Sequence, residues 1–218
     1  MAFIKIHWKP IALSLALLLL ATVGRTALGL WGQAAQPLPM EESAFTEEQQ
    51  RWTNEAKSLC IAGVQISQPP TEAQKAAFLH YMLAHPLYKD KVLEWQRSAE
   101  DYAIPLADME QILFTHLDTN TFDPTLHLPL PHSSNRYYDP QAEEYHLPML
   151  GGFGGAQAFG VLEYTERPLP GGNQVEITLG IFDMELFFNE PRQYNLLETY
   201  TVIMETTPDG SFKVLYAM

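Results

Sequence analysis

Asp183 and Glu185, two residues apart, are the carboxylate pair whose spacing says most about chemistry. On a strand they share one face about 7 Å apart, and inside a concavity such like charges raise a carboxyl pKa enough to make a general base. Their neighbours oppose that placement, because Phe182, Met184, Leu186 and Phe188 need the core side and turn both acids outward. Of the 7 histidines, His116, His127, His132 and His146 sit in or beside one irregular stretch. Their spacing matches neither H-E-x-x-H nor a Cys/His finger, so no metal and no cofactor is expected. His80 and His85, five apart, share no helix face. Cys60, the single cysteine, has no intramolecular disulfide partner and reads as a small core hydrophobe on an apolar helix face. Tyr137, Tyr138 and Tyr145 flank a turn-rich segment and are, with Asp183 and Glu185, the candidate binding residues. No motif assigns a catalytic residue.

The elements that must hold these side chains change character along the chain. Thr46 with Gln49, and Thr71 with Gln74, are capping-box signatures; Trp52, Ala56, Leu59 and Cys60 then recur at helical spacing, as do Phe78, Tyr81, Met82 and His85. Pro86 ends or kinks the second helix. Leu87 to Ala103 and Leu106 to Leu117 read as two further helices divided by Pro105. Prolines break up the stretch from Asp118 to Pro148, where Asp139 to Glu144 suit the turn of a small hairpin. The cluster Gly151 to Gly155 departs from G-x-G-x-x-G at Gln157 and leads toward a strand, so it reads as a connection.

Ala158 to Glu166, Gln174 to Phe188, Leu196 to Thr206 and Ser211 to Ala217 form a four-strand antiparallel meander, with Thr207-Pro208-Asp209-Gly210 as its last turn. In the second strand the apolar residues move from odd positions (Val175, Ile177, Leu179, Ile181) to even ones at Phe182. Such a phase change near Gly180 calls for a bulge or bend, or for burial on both faces.

The chain starts with Lys5, His7 and Lys9 ahead of an apolar run from Ile11 to Val23, the pattern of an export signal. The thirteen-residue run matches a signal-peptide core; continued through Gly24 to Trp31, with Arg25 reaching the headgroups, the same stretch reads as an anchor. The organisation is therefore 1–32 signal peptide or signal anchor, 33–45 tether and 46–218 a single α+β extracytoplasmic domain, with residues 11–31 meeting the membrane if uncleaved. Three of the 13 basic residues and none of the 26 acidic ones lie in the leader, so the remainder carries 10 cations against 26 anions, a formal charge of −16. Phosphate backbones repel such a chain, which excludes nucleic acid as a partner.

Helices first and a bent antiparallel meander last resembles the element order of cystatin-like and NTF2-like folds, in which helices lie across a curved sheet. The resemblance covers Thr46 to Met218, rests on element order and the phase change at Gly180, and transfers no site residue. It implies helices packed on a cupped sheet, used in such folds for catalysis or for binding. The expected role is a non-enzymatic envelope domain that binds a protein, peptide or cell-wall component through its acidic surface or its tyrosine-bearing hairpin. The alternative is a small hydrolase or isomerase with a pocket between helices and sheet. A carboxylate beside His or Tyr in a closed pocket would favour the enzyme. Fractionation of native host cells should find the chain in the membrane or the medium; a cytosolic pool of full-length chain contradicts the export signal.

Overall fold

The structure, a computed structural model, describes residues 37–130, 135–148, 158–183 and 195–218. The leader 1–32, the first part of the tether, His132, the cluster Gly151 to Gly155, and Met184 to Phe188 with Glu185 lie outside these residues. The fold is α+β, several helices with two four-stranded antiparallel sheets. Among the described residues no helix is long and apolar enough to cross a membrane.

Helix α1 (Glu47–Ile61) starts at the Thr46 capping box, with Gln49 N–H on Thr46 Oγ1 at 3.2 Å and Thr46 N–H on Gln49 Oε1 at 3.0 Å. It ends in a Schellman motif: Gly63, at φ 66°, bonds Cys60 O at 2.9 Å and Val64 N–H bonds Leu59 O at 3.0 Å. Between these ends Trp52, Thr53, Ala56 and Leu59 are buried. Helix α2 (Glu72–Leu83) repeats the capping box with Thr71 and Gln74.

A single helix does not run from Leu87 to Ala103. A 3-10 turn at Pro86–Tyr88 leads into α3 (Lys89–Trp95), and the chain then forms β1 (Gln96–Ser98) and β2 (Asp101–Pro105). The Trp95 indole donates to Asp108 Oδ2 at 2.8 Å, tying the end of α3 to the next helix. Pro105 biases Ile104 toward extended backbone, and Tyr102–Pro105 find a ladder partner in residues that the local pattern cannot see. Helix α4 (Leu106–Leu117) keeps its expected bounds, and a one-turn α5 (Pro124–His127) follows. The expected hairpin forms as β3 (Tyr137–Asp139) and β4 (Glu144–Leu147), and β2 pairs with β4, giving the order β1-β2-β4-β3.

The meander is present as β5 (Ala158–Leu169), β6 (Gly172–Phe182), β7 (Leu196–Thr206) and β8 (Phe212–Ala217), paired in sequence order. Its last turn is closed by Gly210 at φ 88°, a conformation that L side chains rarely adopt, with Thr207 N–H bonded to Ser211 O at 3.0 Å. Helix α1 crosses the sheet at β6, where Val175, Ile177 and Leu179 are fully buried.

The ladder is irregular within two residues of Gly180 on both sides, but the extra residues are on the neighbours and not on β6. Leu162 of β5 falls between the partners of Leu179 and Thr178, and Leu197 of β7 between those of Ile181 and Phe182. The apolar phase changes because this end of the sheet is buried on both faces: Leu179 and Ile181 on one, Gly180 and Phe182 on the other. Gly160 and Gly180 pair directly, and a Cβ built on Gly180 would meet the Phe182 ring at 2.7 Å. One on Gly160 would meet Pro39 at 2.7 Å, and Met40 N–H donates to Val161 O at 2.6 Å, so Pro39 and Met40 pack on the meander. Gly180→Val should therefore destabilise by about 1–3 kcal/mol through overpacking. Thr178→Val, which loses the 3.1 Å hydroxyl contact with Thr201, should cost about 1 kcal/mol or less. Urea unfolding of both variants checks the order; equal midpoints contradict the slot.

Candidate functional site

The three candidate tyrosines share the small sheet but divide between its two faces. In the small sheet Tyr138 and Tyr145 point inward, 3% and 1% exposed. Tyr137, of opposite parity, lies on the outer face and stacks on its cross-strand partner His146 at 4.8 Å and 7°. His146 Nδ1 lies 3.1 Å from Asp101 Oδ1 and its Nε2 3.7 Å from Glu144 Oε2, while Arg97 bonds Glu144 at 3.0 Å. Asp139, paired with Glu144, adds a further carboxylate to this face. Asp183 closes the end of β6, half-buried, with its N–H on Asn195 O at 3.2 Å. Glu185 is outside the described residues.

Sequence spacing missed a second group of polar side chains, between α1 and the end of α2. Glu55 Oε1 accepts from the Tyr81 hydroxyl at 2.6 Å, and Glu55 Oε2 lies 3.1 Å from His85 Nε2. Because His85 Nδ1 accepts the Leu87 N–H at 3.2 Å, the proton sits on Nε2 and is donated to Glu55. Burial first, then the Glu55 charge, pushes the Tyr81 hydroxyl pKa far up, so it stays a donor. Glu55 directly precedes Ala56 of the buried stripe and His85 precedes Pro86, but no local spacing links two residues thirty positions apart.

Other histidines act as joints between elements. His116, 2% exposed, bonds Phe212 O through Nδ1 at 2.7 Å and Tyr88 Oη through Nε2 at 3.0 Å, joining α4 to β8. His80 meets Tyr145 Oη at 2.9 Å and stacks on its ring, joining α2 to β4. Lys75, 4% exposed, is neutralised by Glu72 at 2.6 Å and bonds Thr121 O. Cys60 is half-buried, and burial pushes its thiol up to about 11, so it is no ready nucleophile. Among the described residues no three His, Cys, Asp or Glu side chains gather as metal ligands.

Two open clefts flank the outer side of α1. One, of about 790 Å³, is lined by Glu47, Glu48, Arg51 and Trp52 together with the β5–β6 and β7–β8 turns. The other, of about 440 Å³, is lined by Arg51, Asn54, Glu55, Ser58 and Ile61 and by the end of α2 from Tyr81 to Pro86. Arg51 lines both, lies over the Trp52 ring at 4.9 Å, and donates to Gly210 O at 2.9 Å. Comparison with models of protein families, with curated proteins and with solved structures finds no match.

Burial lowers the pKa of both His80 and His116, so the fold holds these rings neutral. The unfolded chain takes up those protons near the ordinary value of about 6.5, so stability should fall as pH drops from there through the lowered folded values. Urea midpoints measured at about pH 7.5 and about pH 5.5 test this. The lower pH should give the lower midpoint, and no difference contradicts the role of the two rings.

Proposed function

We propose that the chain is an exported or membrane-anchored domain with a non-enzymatic binding role at the cell envelope. Its partner is a protein, peptide or wall component carrying basic groups. The docking surface is the outer face of the small sheet. The observation that carries the reading is the Tyr137–His146 stack set among Asp101, Asp139 and Glu144, an aromatic surface with carboxylates around it. Tyrosine offers large contact area at low entropic cost, and the surrounding acids steer a cationic partner. The export signal at Lys5 to Val23 and the acidic balance of the remainder support the same role.

The hydrolase or isomerase alternative has less support. Its best carboxylate, Glu55, has one oxygen on Tyr81 and the other on His85, whose second nitrogen is taken by the Leu87 N–H. His85, with one nitrogen on Glu55 and the other on the Leu87 N–H, has no lone pair left to serve as a base, and the Glu55 carboxylate is held by two internal bonds beside a cleft that is open and not a closed pocket.

Binding of the full chain to an envelope fraction from its host tests the proposal. Binding should be saturable and weaken as NaCl is raised. Asp101→Asn with Glu144→Gln should weaken it about fivefold, from about 0.5 kcal/mol per surface charge, while Asp90→Asn on α3 leaves it unchanged. Absence of saturable binding, or equal binding by both variants, contradicts it.

A further inference from the structure

The two clefts beside α1 together follow one face of that helix. Among their lining residues Glu47, Arg51, Glu55, Ser58 and Ile61 recur every three or four positions, with Glu48 beside the first. A helix of 15 residues is about 22 Å long, which matches six or seven residues of extended peptide at about 3.3 Å each. The chemistry changes along this line. Exposed Glu47 and Glu48 stand at one end, Arg51 in the middle, and Ile61, 37% exposed, with Ala84 and Pro86 at the other. Among the described residues Arg51 has no carboxylate partner, and one of its N–H groups goes to Gly210 O. A guanidinium carries five such groups, so others remain for a ligand's carbonyls.

We propose that this trough binds a short extended peptide, basic at the end that meets Glu47 and Glu48, bonded through backbone carbonyls to Arg51, and apolar at the end that meets Ile61 and Pro86. A gradient from acid to apolar suits a chain whose side chains differ along its length. A saccharide repeats one polar unit and would leave the apolar end unmatched. Nucleic acid is repelled by the two glutamates. This site is separate from the outer face of the small sheet, so it stands or falls independently of the proposed envelope role.

Fluorescence anisotropy of the full chain with three fluorescein-labelled heptapeptides tests it: KKSGALL, EESGALL and KKSGAEE. KKSGALL should bind below about 1 mM, and each of the others about tenfold more weakly, a loss of about 1.4 kcal/mol. Glu47→Lys with Glu48→Lys, both exposed and outside the core, should reverse the preference between KKSGALL and EESGALL while leaving the thermal transition in place. Asn54→Trp, which fills the trough from an exposed position, should weaken KKSGALL without unfolding the chain. No binding by any peptide at about 1 mM, equal binding by all three, or a preference that the charge reversal leaves unchanged overturns the proposal.

Discussion

The contact that the rest of the structure depends on is the buried stripe of α1 against β6. Leu59, Ala56, Val175, Ile177 and Leu179 are each 0% exposed, and Trp52 closes the row at 2%. Burying a large apolar side chain is worth about 1.5–3 kcal/mol, and truncating one such as Leu59 to Ala costs about 2–5 kcal/mol. This stripe fixes which face of α1 looks away from the sheet. That outer face forms the clefts, and it puts Glu55 where Tyr81 and His85 can reach it. The position of the polar groups follows from an apolar constraint.

Around that contact the fold uses polar side chains as joints. Lys75 holds the segment before α5, His80 holds β4 against α2, and His116 holds β8 against α4. Each is desolvated, and each acquires a partner that satisfies it, which is the condition for a buried polar group to be tolerated. The same economy bears on function. A side chain whose donors and acceptors are all used inside the protein fixes geometry, and it has little left with which to act on a substrate.

What could be read from sequence was whatever local physics decides. The capping boxes at Thr46 and Thr71, the helix from Leu106 to Leu117, the hairpin around Asp139 to Glu144 and the turn at Gly210 each need only neighbours within a few residues. The stretch after Trp95 failed because its strand character comes from pairing with Glu144–Leu147, some forty residues away. The phase change at Gly180 was visible, but its cause was only half legible: burial on both faces and the bulges at Leu162 and Leu197 belong to neighbouring chain. Among the candidate residues, strand parity separates outward Tyr137 from inward Tyr138 and Tyr145. In the Glu55–His85–Tyr81 group, helical spacing put Tyr81 and His85 on one face, but nothing local joined them to Glu55, which meets them only once two helices are packed.

The central claim is that this group is a structural joint and not a catalytic one, and the tautomer of His85 tests it most directly. In ¹⁵N NMR of the imidazole rings at neutral pH, His85 should carry its proton on Nε2, slow to exchange with solvent, with Nδ1 shifted as a hydrogen-bonded acceptor. His116, with its proton on Nδ1 toward Phe212 O, should show the opposite tautomer. A His85 ring that exchanges its proton rapidly, or that carries it on Nδ1 and leaves Nε2 bare, would contradict the account and return Glu55 and His85 to the list of groups able to move a proton.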